Sequence, residues 1–391
     1  MDICIFAKYL PVHIIGGMEI HICDLVNCLI KRGHQVSIIT SRHPEGLKKE
    51  EKGDLTIYYV DGEAWYIKKW RYNRNALKLF KNLINHKKFD VVHCQSFEGY
   101  GVVSRYGQHI PLVVTSHGTS FNEIRTILAG REKLKSYLGL PFWMKYYLVD
   151  ERVIFQRSDR VIAVSNELKK DIKRQYKTPE EKLVVIPNGI DINKFKPMGV
   201  DDLKKKWGLT DERIIVSVGK INKQKGFHLL LKILPEVLKE IKDIKLVIVG
   251  SGSYLQELKK MAMRLNIFDN VIFTGRVSEE ALPHYYNLAD VCVFSTLRME
   301  GLPLVVPEAM ACAKPVIASK IGGIPTAIEN NKNGILIEPG NAKELQEQIL
   351  KVLSDEELAR ELGENARKKV VEMMSLDRMV DDTIKVYEGL L

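Results

Sequence analysis

Residues 214–231 read IIVSVGKINKQKGFHLLL, and this stretch decides the architecture. It opens on an unbroken β-branched run closed by Gly219, the pattern of a strand covered on both faces. Lys220, Lys223 and Lys225 follow, then Gly226 and an apolar segment of helical character. Strand, glycine turn and helix in succession form the unit from which parallel sheets are built. The unit recurs along the chain. Runs of the same kind stand at 3–7 (ICIFA), 36–40 (VSIIT), 57–60 (IYYV), 90–94 (DVVHC), 112–117 (LVVTSH) and 161–165 (VIAVS) in the first half. The second half adds 246–250 (LVIVG), 271–275 (VIFTG), 291–295 (VCVFS), 315–319 (PVIAS) and 334–337 (GILI). The fold class is therefore α/β, with two Rossmann-like, doubly wound parallel-sheet domains in series.

Length agrees with this division, since 391 residues exceed what one core ordinarily serves. The boundary falls in VVIPNGIDINKFKP (184–197), where a strand ends in Pro187-Asn188-Gly189. The expected domains are 1–188 and 189–373, and the last segment, about 374–391, is helical by period with no strand after it. Ligands of open parallel sheets lie outside the strand C-termini, so the cleft between the domains is the expected active site.

The six cysteines show no metal-type spacing, and most lie in apolar segments, where a reduced thiol behaves as a small hydrophobe. No apolar run approaches the ~20 residues of a membrane-spanning helix, and MDICIFA lacks the basic start of a signal peptide. A cytoplasmic location is expected. The net charge of +10 is one-sided: residues 1–190 carry 30 Lys and Arg against 20 Asp and Glu, whereas residues 191–391 carry 29 against 29. Such a field favours an anionic partner on the first domain, such as a phosphorylated acceptor or an anionic membrane surface. Residues 64–88 sharpen the point, with eight Lys or Arg beside Trp65, Tyr66, Trp70 and Tyr72. They suit a peripheral place on the cytoplasmic membrane face or a lipid-linked acceptor, and equally an ordinary amphipathic helix with a basic outer face.

The candidate site residues come from the loops after strands. In RMEGLPLVVPEAM (298–310) the strand VCVFS has ended, and Pro307 is tolerable only in a first helical turn, which fixes the helix start near Leu304. Glu300 stands just ahead of that start and Glu308 inside it. Free amide groups and a positive dipole end suit a diphosphate, with the backbone from Gly301 through Leu302, Pro303 and Leu304 within reach of phosphate or sugar. Glu300 can then accept from the hydroxyls of a sugar and Glu308 from a ribose; capping by Glu300 and a surface Glu308 is the plainer alternative. Lys220 and Lys225, in the loop after the first strand of the second domain, can neutralise a pyrophosphate leaving group. In the first domain, IIGGMEIHICDL (14–25) places Gly16 and Gly17 between a strand and its helix, and TSHGTS (115–120) ends a strand on His117. A histidine there can hydrogen-bond a sugar hydroxyl or a phosphate oxygen.

The glycine pair in GGMEIH, SHG, IPNGID, VGKINKQKG and above all EGLPLVVPEAMACAKPVIASKIGGIP together resemble the retaining glycosyltransferase family 4 of GT-B fold, with the elements in family order over most of the chain. The resemblance implies transfer of a hexose from a UDP- or GDP-linked donor to an acceptor hydroxyl, with retention of configuration and with no metal or resident cofactor. It implies an acceptor-binding first domain, a donor-binding second domain, and a final helix crossing back onto the first. By position, Glu300 resembles the residue that orients hydroxyls of the transferred sugar, Glu308 the ribose ligand, Lys220 and Lys225 the basic pair on the diphosphate, and His117 the cleft histidine. Arg276 and Val277 occupy the base-contacting loop, and Gly16 and Gly17 the first phosphate or sugar turn.

Three departures stand out. The family commonly has arginine at Lys220, glycine at Ala313 and an acid at Thr326. Two other classes remain open, a GT-B-like sugar-nucleotide epimerase or phosphorylase and a non-enzymatic binder of anionic polymers. The second has little support, because the basic excess carries no nucleic-acid reading motif and one domain is neutral.

Overall fold

The computed structural model of the chain describes residues 1–62, 69–102, 110–128 and 138–391. The chain divides into two compact units. Unit 1 comprises Met1–Arg125, Leu134–Gly189 and Leu376–Leu391, and unit 2 comprises Ile190–Ser375 with Thr126–Lys133.

Unit 1 is built on an eight-stranded sheet of order β3-β4-β2-β1-β5-β6-β7-β8. The strands are β1 (Asp2–Phe6), β2 (Gln35–Ser41), β3 (Lys49–Lys52), β4 (Leu55–Val60), β5 (Val91–Gln95), β6 (Leu112–Ser116), β7 (Arg160–Ala163) and β8 (Leu183–Val185). All pairs are parallel except β3 with β4, a hairpin turned at Gly53-Asp54. The strand β3 reads KEEK and carries no apolar signal, so the sequence pattern passes over it. Its charges sit on the sheet edge, where they oppose pairing with another chain. Neighbouring strands β2, β1 and β5 reverse the winding direction at β1, so the ends of β1 and β5 flank the switch point of this sheet.

Helix α1 (Gly17–Lys31) follows β1 and buries Ile22, Leu25, Val26 and Leu29 against the sheet. Helix α2 (Lys69–Leu83) turns Tyr72, Ala76, Leu77 and Phe80 inward while Arg71, Arg74, Lys78 and Lys81 remain exposed. Tyr72 is thus a core residue, and its hydroxyl donates to the Ile39 carbonyl at 3.3 Å. This corrects its reading as an interfacial aromatic: the helical period that spaces the basic residues outward carries Tyr72 inward. Trp65 and Tyr66 lie outside the described residues.

Unit 2 holds a six-stranded parallel sheet of order β11-β10-β9-β12-β13-β14. Its strands are β9 (Arg213–Val218), β10 (Ile244–Val249), β11 (Val271–Gly275), β12 (Val291–Phe294), β13 (Val316–Ser319) and β14 (Ile335–Ile337). Each coincides with an apolar run of the sequence to within a residue or two. The order reverses at β9, so the loops leaving β9 and β12 lie side by side at the switch point. Helix α3 (Phe227–Glu240) follows β9, and the short helix α4 (Val305–Ala311) follows β12 with Pro307 in its first turn. Just beyond α4, Ala313 takes φ +56°, the left-handed conformation that a side chain disfavours. That is the physical reason glycine suits this position, and Ala313→Gly is expected to raise stability by about 1 kcal/mol in denaturant titrations of unit 2.

The last helix, α5 (Leu376–Glu388), belongs to unit 1. Arg32, capping α1, pairs with Asp377 and Asp381 at 2.9 Å each, and Met379, Val380 and Tyr387 enter the unit 1 core. No described helix is long and apolar enough to cross a membrane.

Candidate active site

In unit 2 the candidate residues gather at the switch point. The loop after β9 is tied to the loop after β12 through its backbone: Leu297 N–H donates to the Gln224 carbonyl at 2.7 Å, and Ser295 Oγ donates to the Gly226 carbonyl at 3.0 Å. Gly226 has φ +77°, and a Cβ built there would stand 1.8 Å from the Ser295 carbonyl oxygen. Any side chain at Gly226 would separate the two loops. Asn222 caps the single turn Lys223–Lys225 by accepting from Lys225 N–H at 3.0 Å, which aims the Lys225 side chain at the neighbouring loop.

There Lys225 Nζ donates to Glu300 Oε2 at 2.8 Å, and Arg298 Nε lies 3.9 Å from Glu300 Oε1. Burial pushes the Glu300 carboxyl up, but the charges of Lys225 and Arg298 and the lysine hydrogen bond outweigh it and hold it below its ordinary value. Glu300 is therefore an ionised, acceptor-only group at neutral pH. Its backbone is held as well. Gly323 N–H donates to the Glu300 carbonyl at 2.9 Å, and Gly322, at φ +56°, would bring a Cβ within 2.3 Å of that oxygen. The glycine pair of KIGGIP thus acts as a seat for the Glu300 loop.

Gly301 and Leu302 are buried beside Glu300, and Pro303 and Leu304 are half-buried on the way into α4. Lys225, Thr296, Pro303 and Val305 line a narrow crevice at the ends of β9 and β12. Glu308, one turn into α4, is buried and accepts from the Tyr286 hydroxyl at 2.6 Å, so its orientation is fixed by a tyrosine the sequence reading did not single out. Lys220 is exposed at the start of the same loop as Lys225. Arg276, exposed, and Val277 follow β11, the edge strand two places from β9. A larger open hollow in unit 2, bordered by Asp201, Lys205 and His284, contains none of the candidate residues.

In unit 1, His117 follows β6, and Gly16 and Gly17 begin α1. Gly16 is extended, and a Cβ there would meet the Glu19 carboxylate at 2.8 Å. The glycine accommodates a carboxylate folded back over the helix start, a position that repels phosphate and suits hydroxyl groups. His117 Nε2 lies 2.9 Å from Gln95 Oε1, and the His21 ring stands edge-on to it with centroids 4.6 Å apart. His21 is buried, and its Nδ1 has no hydrogen-bond partner. Burial lowers the His21 pKa to about 4. Burial, with His21 and His93 as further positive charges, lowers that of His117 well below its ordinary value. Both rings are neutral near pH 7. His21 stood in a stretch singled out for its glycines, and its approach to His117 depends on how α1 crosses the end of β6, which no local pattern encodes. Arg298 and Gln95 were missed for the same reason.

Two family models match the chain and divide it between them: Glycosyltransferase Family 4 over residues 15–194 and Glycosyl transferases group 1 over residues 200–369. The chain is 27% identical to an N-acetyl-alpha-D-glucosaminyl L-malate synthase of Bacillus anthracis, covering 96% of this chain and 95% of that protein. It is 31% identical to an alpha-monoglucosyldiacylglycerol synthase of Streptococcus pneumoniae over 78% of this chain and 68% of that one. Among solved structures it resembles Anabaena Alr3699/HepE, in a complex with UDP, at a TM-score of 0.78 with 19% identity and full coverage of both chains. The order of the two matched halves, the two switch-point sheets and these relatives lead to one conclusion: the chain belongs to the glycosyltransferases of group 1 and family 4, with the GT-B fold.

Proposed function

We propose that this glycosyltransferase moves a hexose from a UDP- or GDP-linked donor to an acceptor hydroxyl, with retention of anomeric configuration and without a metal, in the synthesis of a glycolipid, glycan or polysaccharide. The observation that carries the reading is the Lys225–Glu300 pair at the unit 2 switch point, 2.8 Å apart on two loops locked through their backbones.

An ammonium has three donors, so Lys225 can hold Glu300 and still meet the diphosphate, where negative charge accumulates as the glycosidic bond lengthens. Lys220, exposed at the start of the same loop, adds a second positive charge. Glu300, kept ionised, accepts from hydroxyls of the departing sugar, and those bonds strengthen as the ring becomes positive. Glu308, held by Tyr286, accepts from the ribose; Arg276 and Val277 meet the base. Gly301 to Leu304 supply backbone amides. In unit 1, neutral His117 hydrogen-bonds the sugar or the β-phosphate, and the turn at Gly16 and Gly17, lined by Glu19, takes hydroxyl groups. The bond from the anomeric carbon to the phosphate oxygen breaks, its electron pair stays on the diphosphate, and the acceptor oxygen bonds to the same face. The acceptor proton passes to the departing phosphate.

The basic excess of residues 1–190 supports an anionic, phosphorylated or lipid-linked acceptor. The function of the two relatives named above, a malate and a diacylglycerol glycoside synthase, is in keeping with a small anionic or lipid acceptor. A cytoplasmic location, peripheral to the membrane where the acceptor is a lipid, accords with this.

The test is a thermal-shift series with UDP- and GDP-sugars. One donor is expected to raise the melting temperature in a concentration-dependent way by mass action. Lys225→Ala is expected to abolish most of that shift and to lower kcat about a hundredfold, since it removes a leaving-group contact and Glu300's partner together. A full shift and wild-type turnover in Lys225→Ala would remove the diphosphate role from this loop.

A further inference from the structure

The loop that presents Glu300 holds a second cation to which the transfer chemistry above gives no part. Arg298, two residues ahead of Glu300, turns one edge of its guanidinium toward that carboxylate, with Nε 3.9 Å from Oε1, while Lys225 Nζ binds the other oxygen, Oε2, at 2.8 Å. Its opposite edge is held: Nη1 donates to Gln224 Oε1 at 3.3 Å. Gln224 is 4% exposed, and its own carbonyl accepts from Leu297 N–H at 2.7 Å and from Thr296 Oγ1 at 3.4 Å. Thr296 Oγ1 also accepts from the Arg298 backbone N–H at 3.2 Å. Arg298 is thus secured at its backbone and at its head group by the two loops that meet at the switch point.

The two cations differ in what they can do. The Lys225 ammonium is a compact charge on a flexible four-carbon stem, suited to follow a ligand. The Arg298 guanidinium is planar, does not lose its proton in proteins, and is anchored on a buried side chain. A diphosphate that engages Lys225 brings a second anion beside Glu300, and one positive charge is then divided between two anions. A carboxylate short of counter-charge in a desolvated place tends to take up a proton, which turns one of its oxygens from acceptor to donor. Among the described residues, the charged side chains that act on Glu300 are Lys225 from the loop after β9 and Arg298 from its own loop. Glu308 of α4 turns to Tyr286, and the segment after β13 meets the Glu300 backbone with Gly322 and Gly323 while its Lys320 is exposed. Arg298 is therefore the counter-charge that stays.

We propose that Arg298 is a positioning residue that holds the Glu300 carboxylate in place, as an anion, while the diphosphate engages Lys225. The proposal rests on the reading of Lys225 as a diphosphate ligand and of Glu300 as the acceptor of sugar hydroxyls, but its first measurement needs only nucleotide and no turnover. Arg298→Gln removes the charge and keeps a side chain that can bond to Gln224. Carboxyl 13C shifts of Glu300, identified by their loss in Glu300→Gln, are followed from pH 7.5 to 5.5 with and without saturating UDP or GDP. Wild-type Glu300 is expected to stay ionised throughout in both states. In Arg298→Gln the nucleotide is expected to bring its protonation into that window.

With donor and acceptor, the ratio of kcat at pH 5.5 to kcat at pH 7.5 is expected to fall about three- to tenfold below that of the wild type, while the donor KM at pH 7.5 stays within about threefold. Acid effects elsewhere in the chain are common to both proteins and cancel in this comparison. Arg298→Met serves in place of Arg298→Gln if that variant does not fold. Arg298→Lys, which keeps a cation, is expected to hold the ratio within about twofold of wild type. Glu300 that stays ionised with nucleotide in the uncharged variant, or that protonates already in the wild-type complex, overturns the proposal. So does an equal loss of kcat at both pH values, the mark of a merely structural role, and so does a donor KM raised about tenfold with an unmoved pH ratio, which would make Arg298 a donor ligand. Protonation of Glu300 with kcat unaffected at either pH supports the hold by Arg298 and instead overturns the part given to Glu300 in the transfer.

Discussion

Glu300→Gln is expected to lower kcat by a hundredfold or more while the donor KM stays within a few fold of wild type. The amide has the size of the carboxylate and can still accept one hydrogen bond, so ground-state contacts to neutral sugar hydroxyls largely survive. What it loses is the full negative charge that Lys225 and Arg298 keep on Glu300 by holding its carboxyl below the ordinary value despite burial. That charge matters most when the sugar ring becomes positive, which places the loss in the transition state. Lys225 also loses its ionic partner at 2.8 Å, so a thermal melt of the variant separates a folding defect from a catalytic one. Equal changes in kcat and KM would assign Glu300 to uniform binding, and an unchanged kcat would end its role in the chemistry.

Acidification should unfold unit 1 before unit 2. His21 and His93 have folded-state pKa values of about 4 and about 3, against an ordinary value of 6.5, both because burial disfavours the charged ring. Below pH 6.5 the unfolded chain takes up these protons and the native chain does not, so stability is complete above pH 6.5 and declines as the pH falls toward the folded values. At 1.36 kcal/mol per pKa unit, the two histidines together remove on the order of 5 kcal/mol between pH 7 and 4.5, and His117 adds to it. Whole domains are commonly stable by only about 5–15 kcal/mol. The depressed carboxylates, such as Glu300 and Glu329 in unit 2 and Glu180 in unit 1, act in the same direction but in a lower window: their contribution is present above about 4.5 and lost only below it. Unit 2 contributes only half-buried His228 to the histidine window. Hydrogen-exchange protection of β1, β5 and β6 should therefore collapse between pH 6.5 and 4.5 while that of β9, β10 and β12 largely persists. Parallel decline in both sheets would contradict the assignment of the loss to these rings.

Most of the fold was legible because a strand enclosed on both faces must be apolar throughout its length. All six strands of unit 2 could be read in this way, down to VIAS and ILI. Unit 1 yielded the same reading, with β3 the exception, since a charged edge strand such as KEEK follows none of the rules that apply to a covered one. Tyr72 shows the converse failure. Composition groups it with basic residues and tryptophans, whereas helical rotation separates it from Arg71, Arg74, Lys78 and Lys81 and seals it in the core.

By itself the sequence determined the two-sheet architecture, the start of α4 near Leu304 that Pro307 requires, the place of Glu308 on that helix, and the loops on which Lys225, Glu300 and His117 stand. These follow from local terms: burial period, the fixed φ of proline and the freedom of glycine. Tertiary structure alone decided which of those side chains meet. Residue 225 reaches residue 300, and residue 387 reaches residue 93, because strand order brings distant loops and the last helix together. Hydrogen bonds and ion pairs act over a few ångströms of space and are indifferent to separation along the chain.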